Sequence, residues 1–359
     1  GEAAMYPRIV VDTKKLKHNM DALIAMGHEQ GISIGLVSKC VCAHAPIIEL
    51  MNQTEADFIA DSRLLNLKNI KTKKPKYLLR IAQACEAADV VAYSDISQQS
   101  ELSTVKLIAE EAARQNKRHR IVLMVDMGDL REGVFYKNRE ELLRIANAVK
   151  EAEMLELFGI GVNLTCFGGI IPDENNLGGL VETAKWLRSE TGLGIPFVSG
   201  GNSSSLIMLK EGRMPKGITN LRIGEGYLLG NETVTGSVME GLYGDAFTLE
   251  ASIAELKRKP SKPIGKSGMN AFGESVEFED RGEMLRAILA IGRQDTDPNG
   301  LTPLDEGAEI LGASSDHLIV NLTEAKGSFA VGDVLRFGVN YGALLNVYSS
   351  VYVDKIYIY

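Results

Sequence analysis

The feature that most constrains this chain is an alternation. From about residue 13, short apolar or β-branched runs (32–37, 57–60, 77–81, 90–93, 121–125, 158–163, 196–199 and 221–224) are separated by longer stretches. Segments such as 101–114, 140–150 and 180–190 carry apolar positions at helical spacing. A strand followed by a helix, eight times over roughly 200 residues, is what a (β/α)8 barrel of TIM type reads like. A doubly wound open sheet is the competing arrangement, and eight strands rather than six favour the barrel. After Gly230 the texture changes to glycine-rich turns and strand-like runs at 247–251, 287–291, 317–321, 334–337 and 347–353, which predicts a mostly β C-terminal domain. The expected division is an N-terminal strand over 1–12, a barrel over 13–240 and a β domain over 241–359. The strand around Val10 is a candidate to join that β domain.

Charge narrows the partners. A formal net charge of -8 argues against nucleic acid, which needs a basic face. Lys71-Thr72-Lys73-Lys74 is a short local exception that reads as a solvated loop. No apolar run approaches the ~20 residues of a membrane span. Gly-Glu-Ala-Ala ahead of Met5 has neither a charged n-region nor an apolar h-region, so it does not read as a signal peptide and is taken as a remnant of expression. The four cysteines (Cys40, Cys42, Cys85, Cys166) are too few and scattered for a disulfide framework. Cys40 and Cys42 are expected to alternate along a strand, and no second pair completes a zinc site, so no metal is expected. A reducing, cytoplasmic compartment follows as the expectation.

Functional side chains of such a barrel gather at the C-terminal ends of its strands. The first strand ends in Val37-Ser38-Lys39. A lysine at the end of a buried strand is costly unless its amine is neutral and joined to an aldehyde, is paired with a carboxylate, or simply reaches solvent. The seventh strand ends in Ser199-Gly200-Gly201-Asn202-Ser203-Ser204-Ser205, and the eighth in Arg222-Ile223-Gly224-Glu225-Gly226. Both read either as glycine turns with a serine cap or as backbone brought close to an anion, at the usual phosphate position of the fold. Lys39 together with such a cradle points to pyridoxal phosphate. Arg131, within 126–133 at the end of the fifth strand, either belongs to an ion-pair network or holds an anionic substrate group in its planar fork. Asn163, at the end of the sixth, either hydrogen-bonds inward or satisfies loop backbone.

Taken together, 37–39, 125–133, 199–204 and 221–225 resemble the fold-type III pyridoxal-phosphate enzymes, the alanine racemase family. The segments 245–251, 292–295, 301–307 and 310–317 bring the likeness closer to the ornithine racemase branch, and it runs in order from Met5 nearly to the end. The resemblance implies that Lys39 carries the cofactor and acts as the base on one face of the substrate's α-carbon. It implies that Arg222 faces the pyridine nitrogen, where a permanent cation disfavours ring protonation and suits simple proton exchange. Asn202, Ser203 and the backbone of Gly224 and Glu225 would hold the phosphate, and Arg131 would lie near the phenolic oxygen and the substrate carboxylate. Asn163 would stand where alanine racemases place a histidine beside the ring. The implied activity is interconversion of L- and D-ornithine, or a related basic amino acid, by two-base exchange in a homodimer with shared active sites.

The second base departs from the family pattern. The family's Gly-Tyr-x-Asp segment reads Gly292-Arg293-Gln294-Asp295, and the tyrosine expected four residues after the lysine is Ala43, with His44 beside it. The candidates are Asp295, Asp316, His317 and Tyr341. Asp316 and His317 are preferred because their segment corresponds to one that reaches the neighbouring active site in the family, although His317 could equally anchor a strand. Glu225, Asp129 and Glu132 are the acidic candidates for a substrate's side-chain amine. The alternatives are a decarboxylase or aldolase of the same fold type, a non-catalytic single-barrel cofactor-binding protein, and a barrel enzyme without the cofactor.

Overall fold

The computed structural model describes residues 3–359 and divides into two compact units. One is Leu16–Gly244; the other joins the chain up to Lys15 with Asp245–Tyr359. Residues 1 and 2 of the expected N-terminal remnant lie outside the described residues. The chain runs through β1 (Arg8–Asp12), α1 (Thr13–Glu29), β2 (Ser33–Val37), α2 (Ala45–Asn52), β3 (Phe58–Asp61), α3 (Leu64–Asn69), β4 (Lys76–Leu78), α4 (Ala87–Tyr93), β5 (Ile96–Gln99) and α5 (Leu102–Gln115). It continues through β6 (His119–Asp126), β7 (Val134–Phe135), α6 (Arg139–Glu151), β8 (Leu155–Gly161), α7 (Glu174–Thr191), β9 (Phe197–Ser199), α8 (Leu206–Lys210), β10 (Asn220–Ile223) and α9 (Glu225–Leu229).

Eight parallel strands pair in the order β5-β4-β3-β2-β10-β9-β8-β6, and β5 pairs with β6 to close the ring. β7 pairs with β6 outside it. Strands covered on both faces carry continuous apolar runs, and Ile121–Val125 is the plainest case, at 0–1% exposed throughout. Helices start and stop where the sequence provides caps. Asp173 and Asn176 form a capping box ahead of α7, which ends on Gly192 in the left-handed region. Inside the ring Phe58, Tyr77 and Phe197 meet edge to face at 5.7–6.2 Å, and Phe158 stacks on Phe197 at 4.7 Å. β8 approaches β9 so closely that a Cβ on Gly159 would lie 2.0 Å from the Phe197 carbonyl oxygen.

The count of eight strands holds, but one member moves. The run 90–93 belongs to α4, and the fourth barrel strand is β5, whose polar Ser97-Gln98-Gln99 hides it. Cys40 and Cys42 do not alternate along a strand: Lys39–Val41 forms a 3-10 turn, with Cys40 buried and Cys42 exposed.

The second unit contains β11 (Phe247–Pro260), β12 (Glu283–Leu289), β13 (Leu301–Pro303), β14 (Glu309–Ala313), β15 (Leu318–Asn321), β16 (Val334–Val339), α10 (Tyr341–Ser349) and β17 (Asp354–Ile358). Its strand order is β13-β16-β11-β12-β15-β14, and β1 pairs antiparallel with β11 and parallel with β17. The strand expected over 347–353 is not there. Asn340 Oδ1 accepts from the Ala343 amide at 2.9 Å and starts α10 instead, and the final strand follows it. The strand expected over 287–291 ends earlier, at Leu289. Among the described residues no helix is long and apolar enough to cross a membrane.

Candidate active site

The C-terminal ends of β2, β6, β8, β9 and β10 bring together all but two of the expected site residues. Lys39 follows the end of β2 in the 3-10 turn, and its side chain is exposed rather than buried among apolar groups. The cost expected of a buried ammonium therefore does not arise. Ser38, directly before it, is fully buried and donates from Oγ to Asp61 Oδ2 at 2.7 Å. Asp61 also accepts from the Arg63 amide at 2.8 Å and from Asn66 at 3.2 Å. Burial raises the Asp61 carboxyl's pKa above its ordinary value, and these donors and the Lys39 ammonium only partly offset that rise. Asp61 was missed in the sequence because the apolar run that locates β3 stops one residue short of it.

Arg222 is the polar centre of the barrel. It is 2% exposed and donates to the Val162 carbonyl at 2.8 Å, to Ser199 Oγ and to Asn163 Oδ1. Gln98, its amide oxygen turned inward, accepts from Arg222 Nε at 3.3 Å and from the Tyr77 hydroxyl at 2.8 Å. Burial pulls the guanidinium's pKa down, and Tyr77 and Glu132 only partly offset that fall. Asn163 passes the contact outward by donating to Glu132, which Arg131 grips through two donors. Burial raises the Glu132 pKa, but the bonds from Arg131 and Asn163 outweigh it, and the carboxyl stays below its usual value. Tyr77 and Gln98 were also missed. Tyr77 lies within the run that locates β4, whereas Gln98 sits on β5, whose polar residues give no strand signal.

The loops after β9 and β10 are bound to each other, since Ser203 Oγ accepts from the Gly226 amide at 3.0 Å. Asn202 Oδ1 caps the Ser204 amide at 2.8 Å, and its nitrogen reaches Cys166 Sγ at 3.3 Å. Ser205 Oγ donates to the Gly200 carbonyl at 2.8 Å, across the left-handed Gly201 (φ 118). Ser204 Oγ is buried and has no hydrogen-bond partner among the described residues. Gly224 is the N-cap of α9 and supplies no side-chain cap. Glu225 accepts from Asn231, and burial raises its pKa.

Of the acidic candidates, Asp129 is taken up by the neighbouring loop that follows β8. Its carboxylate accepts from the amides of Thr165 (3.1 Å), Phe167 (3.0 Å) and Ile170 (3.1 Å). Burial alone would raise its pKa, yet these amides hold it below the usual carboxylate range. Left-handed backbone at Cys42, Ala43, Leu130 and Thr165 falls in these same strand-end loops, where strain tends to mark functional segments.

Asp316 and His317 are not on the barrel. They lie in the other unit on the exposed turn between β14 and β15, where the His317 amide donates to Ser314 Oγ at 3.2 Å. Asp295 is buried, accepting from Ser350 Oγ at 2.8 Å, which suits a structural role.

Residues 11–230 match the alanine racemase N-terminal domain. The chain belongs to the alanine racemase family. An ornithine racemase of Acetoanaerobium sticklandii is 47% identical over 352 residues, covering 98% of this chain and 99% of that protein. A lysine racemase of Thermotoga maritima is 36% identical over 357 residues, with the same 98% and 99% coverage. Among solved structures, the alanine racemase of a D-cycloserine-producing Streptomyces lavendulae superposes with a TM-score of 0.78 at 16% identity, covering 100% of this chain and 98% of that one. The alanine racemase of Clostridium difficile 630, in complex with cycloserine, gives 0.75 at 16% identity, covering 99% and 96%. Enzymes of the alanine racemase family are in general pyridoxal-phosphate enzymes.

Proposed function

We propose that the chain is a pyridoxal-phosphate-dependent racemase of basic amino acids, with ornithine as the preferred substrate, acting as a cytoplasmic homodimer. The observation that carries this reading is the buried Arg222 network standing beside two joined glycine-serine loops, in a chain whose full-length relatives act on ornithine and lysine.

The residues fit the cofactor. Lys39 offers an exposed amine, Ser204 a buried hydroxyl with no partner among the described residues, and the loop at Gly224 a helix start without a side-chain cap. Asn202, Ser203, Ser204 and the backbone at Gly224 and Glu225 would hold the phosphate, and Asn163 and Arg222 would line the ring. Pyridoxal phosphate, once bound, supplies an electron sink that makes the α-hydrogen of an amino acid acidic.

The protein's part is then to place two proton carriers and one anchor. Lys39 removes or returns the α-proton on one face. The partner subunit's Asp316 and His317 do so on the other, replacing the tyrosine the family pattern leads one to expect. Arg131, oriented by Glu132, receives the substrate carboxylate in its fork. Arg222, held by neutral acceptors, stays cationic and keeps the chemistry to proton exchange. The test is chiral chromatography of L-ornithine, L-lysine, L-arginine and L-alanine incubated with the cofactor-loaded enzyme. Ornithine should racemise with alanine inert; alanine reacting in preference would contradict the substrate assignment.

A further inference from the structure

One motif remains outside this function, the lysine run at 71–74. In the fold it borders a cleft of about 510 Å³ at the N-terminal end of the barrel, where β4 and β6 begin, opposite to the strand ends that carry Lys39. The cleft is lined by Lys73, Lys74, Lys76, Arg118 and Arg120, against only two carboxylates, Asp95 and Glu156. That excess of positive charge stands on a chain whose formal net charge is -8.

The cleft is built rather than incidental. Thr72 Oγ1 donates to Asn52 and accepts from the Lys74 amide at 3.0 Å, which fixes the loop. The Lys74 ammonium donates to the Thr54 and Ala56 carbonyls, both at 2.8 Å, and that of Lys76 to the Leu67 carbonyl at 2.6 Å. Arg120 lies over the Phe158 ring at 4.7 Å while pairing with Glu156 at 3.1 Å. Three cations are thus held in place by the fold. The other two, Lys73 and Arg118, are exposed and enter no ion pair or hydrogen bond among the described residues. Burial pulls the Lys76 pKa down, Asp95 only partly counters it, and Lys117 lowers it a little further.

We infer that this cleft is a second ligand site, distinct from the barrel mouth, and that it takes a polyphosphate group, either free or carried on a nucleotide. A single carboxylate would neutralise only one of these cations. A chain of phosphates matches several closely spaced ones, with Arg118 giving a planar fork and the lysines point charges. A cleft of this volume lies within the range of small-molecule sites.

The experiment is calorimetric titration of the cofactor-loaded enzyme with inorganic triphosphate, and separately with ATP, at an ionic strength of about 0.15 M. We expect saturable binding at one ligand per chain. The double variant Lys73→Ala/Arg118→Ala should weaken it at least about tenfold while leaving racemisation and melting temperature unchanged. Tighter binding of ATP would identify a nucleotide as the source of the polyphosphate, and equal or weaker binding the free chain. Absence of saturable binding up to about 1 mM, a usual ceiling for metabolite recognition, would overturn the proposal. So would a double variant that binds like the wild type, since the ligand would then sit elsewhere, as at the barrel mouth.

Discussion

Arg222 meets its surroundings through four neutral acceptors on three strands or strand ends, so its geometry matters more than its charge alone. Lysine at this position would keep the cation but lose the fork that spans Ser199, Asn163 and Gln98 at once. Arg222→Lys is therefore expected to lower kcat/KM at least about tenfold, with the circular dichroism spectrum retained. His119 makes a separate prediction. It is 1% exposed, its Nε2 lies 2.7 Å from Ser97 Oγ, and burial pulls its pKa down to about 4. A folded-state value below the unfolded one means that the unfolded chain binds the extra proton first. The stabilising contribution is thus complete above pH ~6.5 and is lost as pH falls toward about 4. The loss is on the order of 3 kcal/mol. Thermal denaturation across that window should show a steeper fall for the wild type than for His119→Asn. Parallel curves would remove His119 from the account.

At the scale of elements, two close approaches position the site. β8 and β9 depend on Gly159, and Gly159→Ala forces a methyl against the Phe197 carbonyl oxygen. A loss of about 3 kcal/mol or more is expected, read as a lower melting temperature. The loop after β8 depends on Asp129, which gathers amides from 165 to 170. Asp129→Ala should raise KM and speed hydrogen exchange at Thr165, Phe167 and Ile170; unchanged exchange would show that the loop is held by other means. These elements also show what a sequence can reveal. β2, β6, β9 and β10 announce themselves as apolar runs ending in polar or glycine-rich turns, so Lys39, Arg131, Ser203 and Arg222 could be found from them. β5 could not be found that way, because its inward residues are polar and fully buried, and the apolar 90–93 run just before it is helical. A run of four apolar residues does not distinguish helix from strand, and the strand-like valines and tyrosines of 347–353 misled because the Asn340 cap starts a helix that runs to Ser349. Asp61, Tyr77 and Gln98 stayed hidden because their importance lies in pairings across strands far apart in sequence.

At the scale of the whole molecule, the proposed function draws its second base from a second chain, and the residues proposed for that role lie on an exposed turn of the β unit. A homodimer with shared sites predicts complementation. Lys39→Ala and Asp316→Ala/His317→Ala, each inactive alone, should regain activity when mixed under conditions that exchange subunits, up to about a quarter of wild type, since one site in each mixed dimer is intact. Mixed dimers without activity would place the second base elsewhere.

Racemisation at Lys39 can be followed from either enantiomer of ornithine in deuterated water. Optical rotation should decay to zero from both sides, with deuterium entering the α-position as it does so, and Lys39→Ala should leave both enantiomers unchanged beyond a trace. Persistence of rotation in the wild type, or convergence in Lys39→Ala at a comparable rate, would contradict it.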